Sequence, residues 1–129
     1  MRIAAFVVAF LCLVRPALGA DPLAAGRAAF KRCANCHQVG PNAHSNFGPQ
    51  LNGIMGRRAG SLPDFAYSPA MKKAGFVWDE TRLVAFIHNP DRIVPGTRMR
   101  FWGFMSERQV RELVAYLRSV PAQAAPARR

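Results

Sequence analysis

The chain has 129 residues, with 18 lysines and arginines against 7 acidic residues and a formal net charge of +11. This length supports one domain around one core. The basic residues are spread along the chain, and no base-reading motif or basic helix accompanies them, which argues against a nucleic-acid-binding protein. The charge instead favours acidic partners, through an attraction that salt weakens.

Residues 1–20 have the pattern of a secretory signal peptide. Arg2 supplies a positive start, and 3–14 is an apolar run too short for an ordinary membrane span. Small residues follow, so we predict cleavage after Ala20 or, as the near alternative, after Gly19. An uncleaved membrane anchor is the competing interpretation. We therefore expect an exported, periplasmic protein that keeps no membrane anchor after cleavage.

The first predicted helix begins at Asp21, which can act as an N-cap, with Pro22 at the first helical position. It would continue to about Cys33. Gly26 and Phe30 lie four residues apart on one of its faces. A glycine there permits another helix to approach closely, and Phe30 can fill the crossing.

Directly after this helix, Cys33, Cys36 and His37 form a C-x-x-C-H motif, which is the attachment signature of a c-type haem. Two thiols at this spacing on one turn can each form a thioether to a haem vinyl group, and the histidine can ligate the iron. A redox-active C-x-x-C that happens to precede a histidine is the alternative. With both cysteines used and the signal peptide removed, no disulfide remains to be made.

Residues 38–63 are rich in Gly, Pro and Asn and lack a sustained period, which predicts a long loop region that needs something to wrap around. Ser68 then begins a short helix that ends at Gly75. Asp79 caps another helix, which stops at Asn89-Pro90. Its apolar stripe consists of Leu83, Val84, Phe86 and Ile87.

Residues 90–105 are predicted to return to loop. Ser106 and Gln109 form a capping box for the last helix, whose apolar stripe is Val110, Leu113, Val114 and Leu117. Pro121 ends this helix, and we predict a disordered tail over 121–129. No convincing strand pattern occurs, so the chain is predicted to be mostly α.

Met99 is the best candidate for a second iron ligand, because it lies in a turn, 95–99, rather than on a helix face. A thioether favours ferrous iron and raises the reduction potential. Met55, Met71 and Met105 suit the core or the wall of a haem pocket. Coordination by a second histidine, His44 or His88, is the alternative that stays open.

The stretch from Gly26 to Tyr116 resembles class I cytochrome c, in its mitochondrial-type and bacterial cytochrome c2 branch. The matching pieces are Gly26 and Phe30, the C-A-N-C-H motif, Gly48-Pro49, G-R-R-A-G at 56–60, Phe65 to Ser68, Trp78-Asp79, N-P-D-R-I-V-P-G-T-R-M-R-F at 89–101 and L-V-A-Y-L at 113–117. The resemblance implies the class I cytochrome c fold over 21–120. In this fold three main helices, short helices and long loops wrap one covalently bound haem.

The same resemblance assigns roles by position. Cys33 and Cys36 would carry the thioethers, and His37 and Met99 would be the axial ligands. Pro49 would accept the imidazole N–H on its carbonyl. Arg57, Tyr67 and Trp78 would donate hydrogen bonds to a buried haem propionate. Thr97 would support the loop that carries Met99, and Phe101 would shield the haem edge.

Two positions depart from the mitochondrial pattern: Met71 replaces an asparagine and Phe86 replaces a tyrosine. Both changes remove polar groups, and a buried water needs several polar partners. We expect the internal water of the family to be weakened or absent beside these residues and Thr97.

The resemblance implies a soluble one-electron carrier and a monomer. It would shuttle electrons between a quinol-oxidising complex and an oxidase, reductase or photosynthetic reaction centre. We call the cations expected around the haem edge the basic rim: Lys31, Arg32, Arg92, Arg98 and Arg100. Acidic redox proteins or membrane redox complexes would dock there, although Asp91 interrupts the rim and Trp102 could add an apolar contact. The alternatives are a haem enzyme or gas-binding domain with Met99 displaced from the iron, and a dedicated subunit tied to one dehydrogenase rather than a free shuttle.

Overall fold

The computed structural model describes residues 21–101 and 104–123. The predicted signal peptide, Trp102 and the last six residues of the predicted tail lie outside this part of the chain. Five α-helices occur in the described part: α1 Ala24–Phe30, α2 Pro69–Lys73, α3 Glu80–His88, α4 Pro90–Ile93 and α5 Glu107–Ser119. Within the same residues the β-structure is one isolated bridge between Arg58 and Val77, so the prediction of a mostly α chain is confirmed.

Helix α1 is shorter than predicted at both ends. The Asp21 carboxylate does accept the Leu23 N–H at 2.9 Å, but the Asp21 carbonyl accepts the Ala24 N–H, which makes a tight turn before the helix. The first bond of α-helical spacing runs from the Arg27 N–H to the Leu23 carbonyl at 2.9 Å. After Phe30 the chain tightens into successive i to i+3 turns, a usual way to end a helix.

Helix α2 begins where predicted, after Ser68, and the cap predicted for α3 at Asp79 is confirmed. Ser68 accepts the Met71 N–H, and Asp79 accepts the Arg82 N–H at 2.7 Å. The loop predicted from residue 90 is wrong at its start, because 90–93 form helix α4. Asn89 both ends α3 and caps α4 by accepting the Arg92 N–H at 3.1 Å, with a proline at the first helical position.

Helix α5 has the predicted capping box between Ser106 and Gln109, and all four residues of its predicted apolar stripe are buried. It crosses α1 at Gly26. A Cβ at Gly26 would collide with the Glu112 carbonyl oxygen and would lie 2.6 Å from the Tyr116 Cβ. The backbones of the two helices therefore meet because this position has no side chain. Phe30 is also buried beside the crossing, as predicted.

The end of α5 and the first residues of the predicted tail contact the loop region. The Gly53 N–H donates to the Val120 carbonyl at 3.1 Å, and the Gln123 amide donates to the Pro41 carbonyl at 3.0 Å. These bonds hold 120–123 against the loop region. No helix in the described residues is both long and apolar enough to cross a membrane.

Candidate haem-binding site

A cavity of about 600 Å³ lies between the loops and the helices. It is lined by all ten residues predicted for the site: Cys33, Cys36, His37, Pro49, Arg57, Tyr67, Trp78, Thr97, Met99 and Phe101. The rest of its wall is largely apolar and includes Leu51, Ile54, Leu83, Ile87, Leu113 and Leu117. This volume falls in the range of about 300–1,000 Å³ that is usual for ligand and cofactor sites.

The C-x-x-C-H motif forms one turn at the edge of this cavity. The Cys33 carbonyl accepts the N–H groups of both Cys36, at 3.1 Å, and His37, at 2.9 Å. The turn therefore brings two thiols and an imidazole to one cavity. Burial raises the pKa of the Cys33 thiol to about 11. A reactive thiol is a thiolate at neutral pH, and burial keeps the Cys33 thiol protonated.

The His37 ring is fixed in one tautomer. Its Nδ1 lies 2.8 Å from the Pro49 carbonyl oxygen. Because a carbonyl can only accept, Nδ1 carries the proton and Nε2 keeps its lone pair for a metal. Burial lowers the pKa of His37, an effect that the bond to Pro49 opposes, so the neutral form needed by a ligand is favoured.

The Gly48 backbone lies directly against the His37 ring, a contact that was not predicted from the sequence. A Cβ at Gly48 would lie 2.5 Å from His37 Cε1 and 2.7 Å from His37 Nδ1. The Gly48 N–H also donates to the Cys36 carbonyl at 2.8 Å, which joins this loop to the C-x-x-C-H turn. The adjacent Gly-Pro pair was the available signal, since it places a residue without a side chain next to the carbonyl that the imidazole needs.

Arg57, Tyr67 and Trp78 bring polar groups to the same cavity. The Arg57 guanidinium donates to the Gln50 carbonyl at 3.0 Å and to the Asn52 carbonyl at 3.2 Å. Burial lowers the pKa of Arg57, but an arginine stays charged at any relevant pH. Burial also raises the pKa of Tyr67, against the effect of the Arg57 charge, so its hydroxyl stays a donor. These residues are suited to hold a negatively charged group.

Met99 reaches the cavity from the loop after α4. Thr97 is buried, with 2% of its surface exposed, and its hydroxyl accepts the Met99 N–H at 3.3 Å. Phe101 is partly buried beside the cavity, and Met71 and Phe86 add an apolar wall in place of polar groups. The expectation about the internal water stays a prediction.

The other candidate ligands do not line the cavity. His44 is exposed, and its ring contacts the side chain of Gln38 and the carbonyl of Asn42. His88 is exposed at the end of α3. The arrangement therefore gives no support to coordination by a second histidine. Of the three methionines assigned to the core or the pocket wall, Met71 lines the cavity, and Met55 and Met105 pack against the core.

The basic rim is exposed at all five positions, and three of its members line the mouth of the cavity: Arg32, Arg98 and Arg100. Arg32 also donates to the Phe104 carbonyl at 2.6 Å. The donor set and the apolar wall fit a haem c. Two thiols could hold its vinyl side chains, an imidazole nitrogen and a thioether could ligate its iron, and the Arg57 cluster could hold a propionate.

Comparison with known proteins agrees with this geometry. A family model for cytochrome c matches residues 23–121. The chain is 44% identical over 97 residues to cytochrome c2 of Rhodomicrobium vannielii, covering 75% of this chain and 77% of the relative. It is 47% identical over 98 residues to cytochrome c2 of Agrobacterium tumefaciens, covering 74% of this chain and 88% of the relative.

A solved structure of cytochrome c2 from Rhodospirillum centenum is similar with a TM-score of 0.71 and 32% sequence identity, and the match covers 78% of this chain and 98% of that one. The class I cytochrome c fold expected from the sequence is thereby confirmed, as is the covalent haem. The chain belongs to the cytochrome c family, in its class I, cytochrome c2-type branch, and carries one haem c bound through Cys33 and Cys36.

Proposed function

We propose that this haem c electron carrier is a periplasmic shuttle whose iron is ligated by His37 and Met99. The observation that carries the proposal is the hydrogen bond of 2.8 Å from His37 Nδ1 to the Pro49 carbonyl, with Met99 lining the same cavity. Because Nδ1 carries the proton, Nε2 is the atom that ligates the iron. The Met99 thioether in the cavity wall is the second ligand.

When bound, haem c supplies a one-electron couple at its iron. His37 and Met99 would both ligate the iron, which would leave no coordination site for a substrate. The Pro49 carbonyl strengthens the imidazole as a donor by polarising its N–H. The buried apolar residues of the cavity exclude water, and Arg57 stays charged to hold a propionate. Each of these contributions serves electron transfer rather than catalysis.

Docking of a redox partner is assigned to the basic rim. The support is the exposure of its five cations and the position of Arg32, Arg98 and Arg100 at the cavity mouth. A partner with an acidic surface would be attracted by this charge, and complexes of this kind form fast and weaken as salt rises. The rim suits acidic redox proteins or membrane redox complexes, with the carrier acting as a monomer.

Export to the periplasm rests on the signal peptide predicted at 1–20, which lies outside the described residues. Attachment of haem to Cys33 and Cys36 and removal of residues 1–20 can be measured together. Expression in a bacterium able to mature c-type cytochromes should give a periplasmic holoprotein beginning at Asp21, or at Ala20 for the alternative site, by intact mass. Holoprotein retaining residues 1–20 in the membrane fraction would favour the anchor.

The axial ligands are tested by the absorption spectrum of the Met99→Ala holoprotein. The original protein should be low-spin, with a weak near-infrared sulfur-to-iron band, and should bind carbon monoxide slowly. The variant should lose the band, show a lower reduction potential and bind carbon monoxide at once. Met55→Ala is the control, because Met55 packs against the core without lining the cavity. A high-spin spectrum in the original protein would favour an enzyme or gas-binding domain.

A further inference from the structure

Arg100 contacts two carbonyl groups on the segment that carries Met99 and one carboxylate on helix α4. Its Nη1 donates to the Thr97 carbonyl at 2.7 Å and lies 3.3 Å from the Met99 carbonyl. The same atom lies 3.5 Å from an oxygen of the Asp91 carboxylate, on helix α4. One guanidinium therefore joins α4 to the carbonyl groups of Thr97 and Met99.

The segment depends on such contacts because it lacks regular backbone pairing. Among the described residues, none of the positions 98–101 makes a backbone–backbone hydrogen bond, and the last such bond before them joins the Thr97 N–H to the Val94 carbonyl. The Met99 N–H is held by the Thr97 hydroxyl at 3.3 Å. Its carbonyl side is held by Arg100. Side chains on both sides of Met99 thus replace the support that a helix or strand would give.

We propose that Arg100 is a positioning residue that keeps the Met99 sulfur on the haem iron, an inference that rests on Met99 being the ligand proposed above. Arg100 restrains the backbone from Thr97 to Met99, which would keep the Met99 thioether within reach of the iron. Asp91 orients the guanidinium. The role differs from docking, because it would persist with no partner and at high salt.

The contacts of Arg100 determine how strongly its loss should change the affinity of the iron for an external ligand. The bond to the Thr97 carbonyl is short and has a charged donor, and such bonds are the stronger ones in proteins. The Arg100 and Asp91 side chains are 55% and 58% exposed, so their ion pair adds little. Loss of Arg100 should therefore raise the affinity of ferric iron for an external ligand about tenfold, and loss of Asp91 alone should raise it by less than about threefold.

The test is a titration of ferric holoprotein with imidazole, which competes with Met99 and is followed at the sulfur-to-iron band. Arg100→Ala should bind imidazole about tenfold more tightly, and Arg100→Lys should restore most of the original value, because an ammonium can donate to the same carbonyl. Arg98→Ala is the matched control. It removes the same charge from the cavity mouth, and Arg98 makes no hydrogen bond to a described residue. Its imidazole affinity should change less than about twofold.

Reduction potentials separate charge from positioning. Both alanine variants remove a cation near the haem, so both should lower the reduction potential. Only Arg100→Ala should raise the affinity for imidazole by more than about twofold. Equal affinity changes in the two variants, or no change in either, would overturn the proposal. If Arg100→Ala does not fold, the lysine variant decides. Imidazole binding to Arg100→Lys that is clearly tighter than to the original protein would then overturn the proposal. A missing sulfur-to-iron band in the original protein would instead refute Met99 as the ligand.

Discussion

Replacing Gly48 with alanine should disturb the haem through His37. The added Cβ would lie 2.5 Å from His37 Cε1, whereas ordinary contacts begin at 3.4 Å, so the ring or the loop must move by about 1 Å. Overpacking of this kind costs about 1–3 kcal/mol. Weakening the bond from His37 to Pro49 adds about 0.5–1.5 kcal/mol to this destabilisation. The lower backbone entropy of alanine in the unfolded chain offsets about 0.4–1 kcal/mol of it. The free energy of unfolding should therefore fall by about 2 kcal/mol.

The same variant should raise the reduction potential. A carbonyl that accepts from Nδ1 makes the imidazole a stronger donor, which favours ferric iron, so a weaker bond favours ferrous iron. Guanidinium unfolding and a redox titration of the holoprotein measure the two effects. Gly26→Ala is the matched control, because its Cβ collides with α5 and not with the ligand. It should lower stability and leave the potential unchanged. A Gly48→Ala protein with unaltered potential would refute this coupling between Gly48, His37 and the iron.

Three other variants test the fold and the rim. Leu113 is fully buried between the helices and the cavity, and Leu113→Ala should lower the unfolding free energy by about 2–5 kcal/mol in denaturant titrations. Ser106→Ala removes the cap of α5 and should cost about 1 kcal/mol by the same assay, while an unchanged midpoint would contradict the capping role. Lys31→Glu combined with Arg98→Glu should slow reduction by an acidic partner most strongly at low salt, in stopped-flow measurements. A salt-independent rate would remove the steering argument.

Features set by neighbours in the chain were predictable from the sequence. The caps at Asp79 and Ser106 follow from residues within three positions, and the stripe of α5 follows from its period. Helix α4 was missed because Asn89-Pro90 signals both the end of one helix and the start of another. A four-residue helix has too few positions to show a period. The late start of α1 has a similar cause, since Asp21 caps a tight turn before the helix.

In the candidate site, too, local features were predictable from the sequence and contacts made by the folded loops were not. The C-x-x-C-H motif is local, and the resemblance to a known family brought distant residues such as Pro49 and Met99 into one hypothesis. The contact of Gly48 with the His37 ring depends on how the loop folds back over the turn, which no spacing reveals. The contact of Arg100 with Asp91 joins residues nine positions apart in a segment without a period, so the sequence suggested only two rim charges of opposite sign.

The pair of axial ligands is the central claim, and near-infrared magnetic circular dichroism of the ferric holoprotein tests it most directly, because the energy of the charge-transfer band depends on both ligands. The original protein should show the band position of a histidine–methionine pair, and Met99→Ala should show a different position. A band typical of two histidines, or one that Met99→Ala leaves in place, would contradict the ligation of this haem by His37 and Met99.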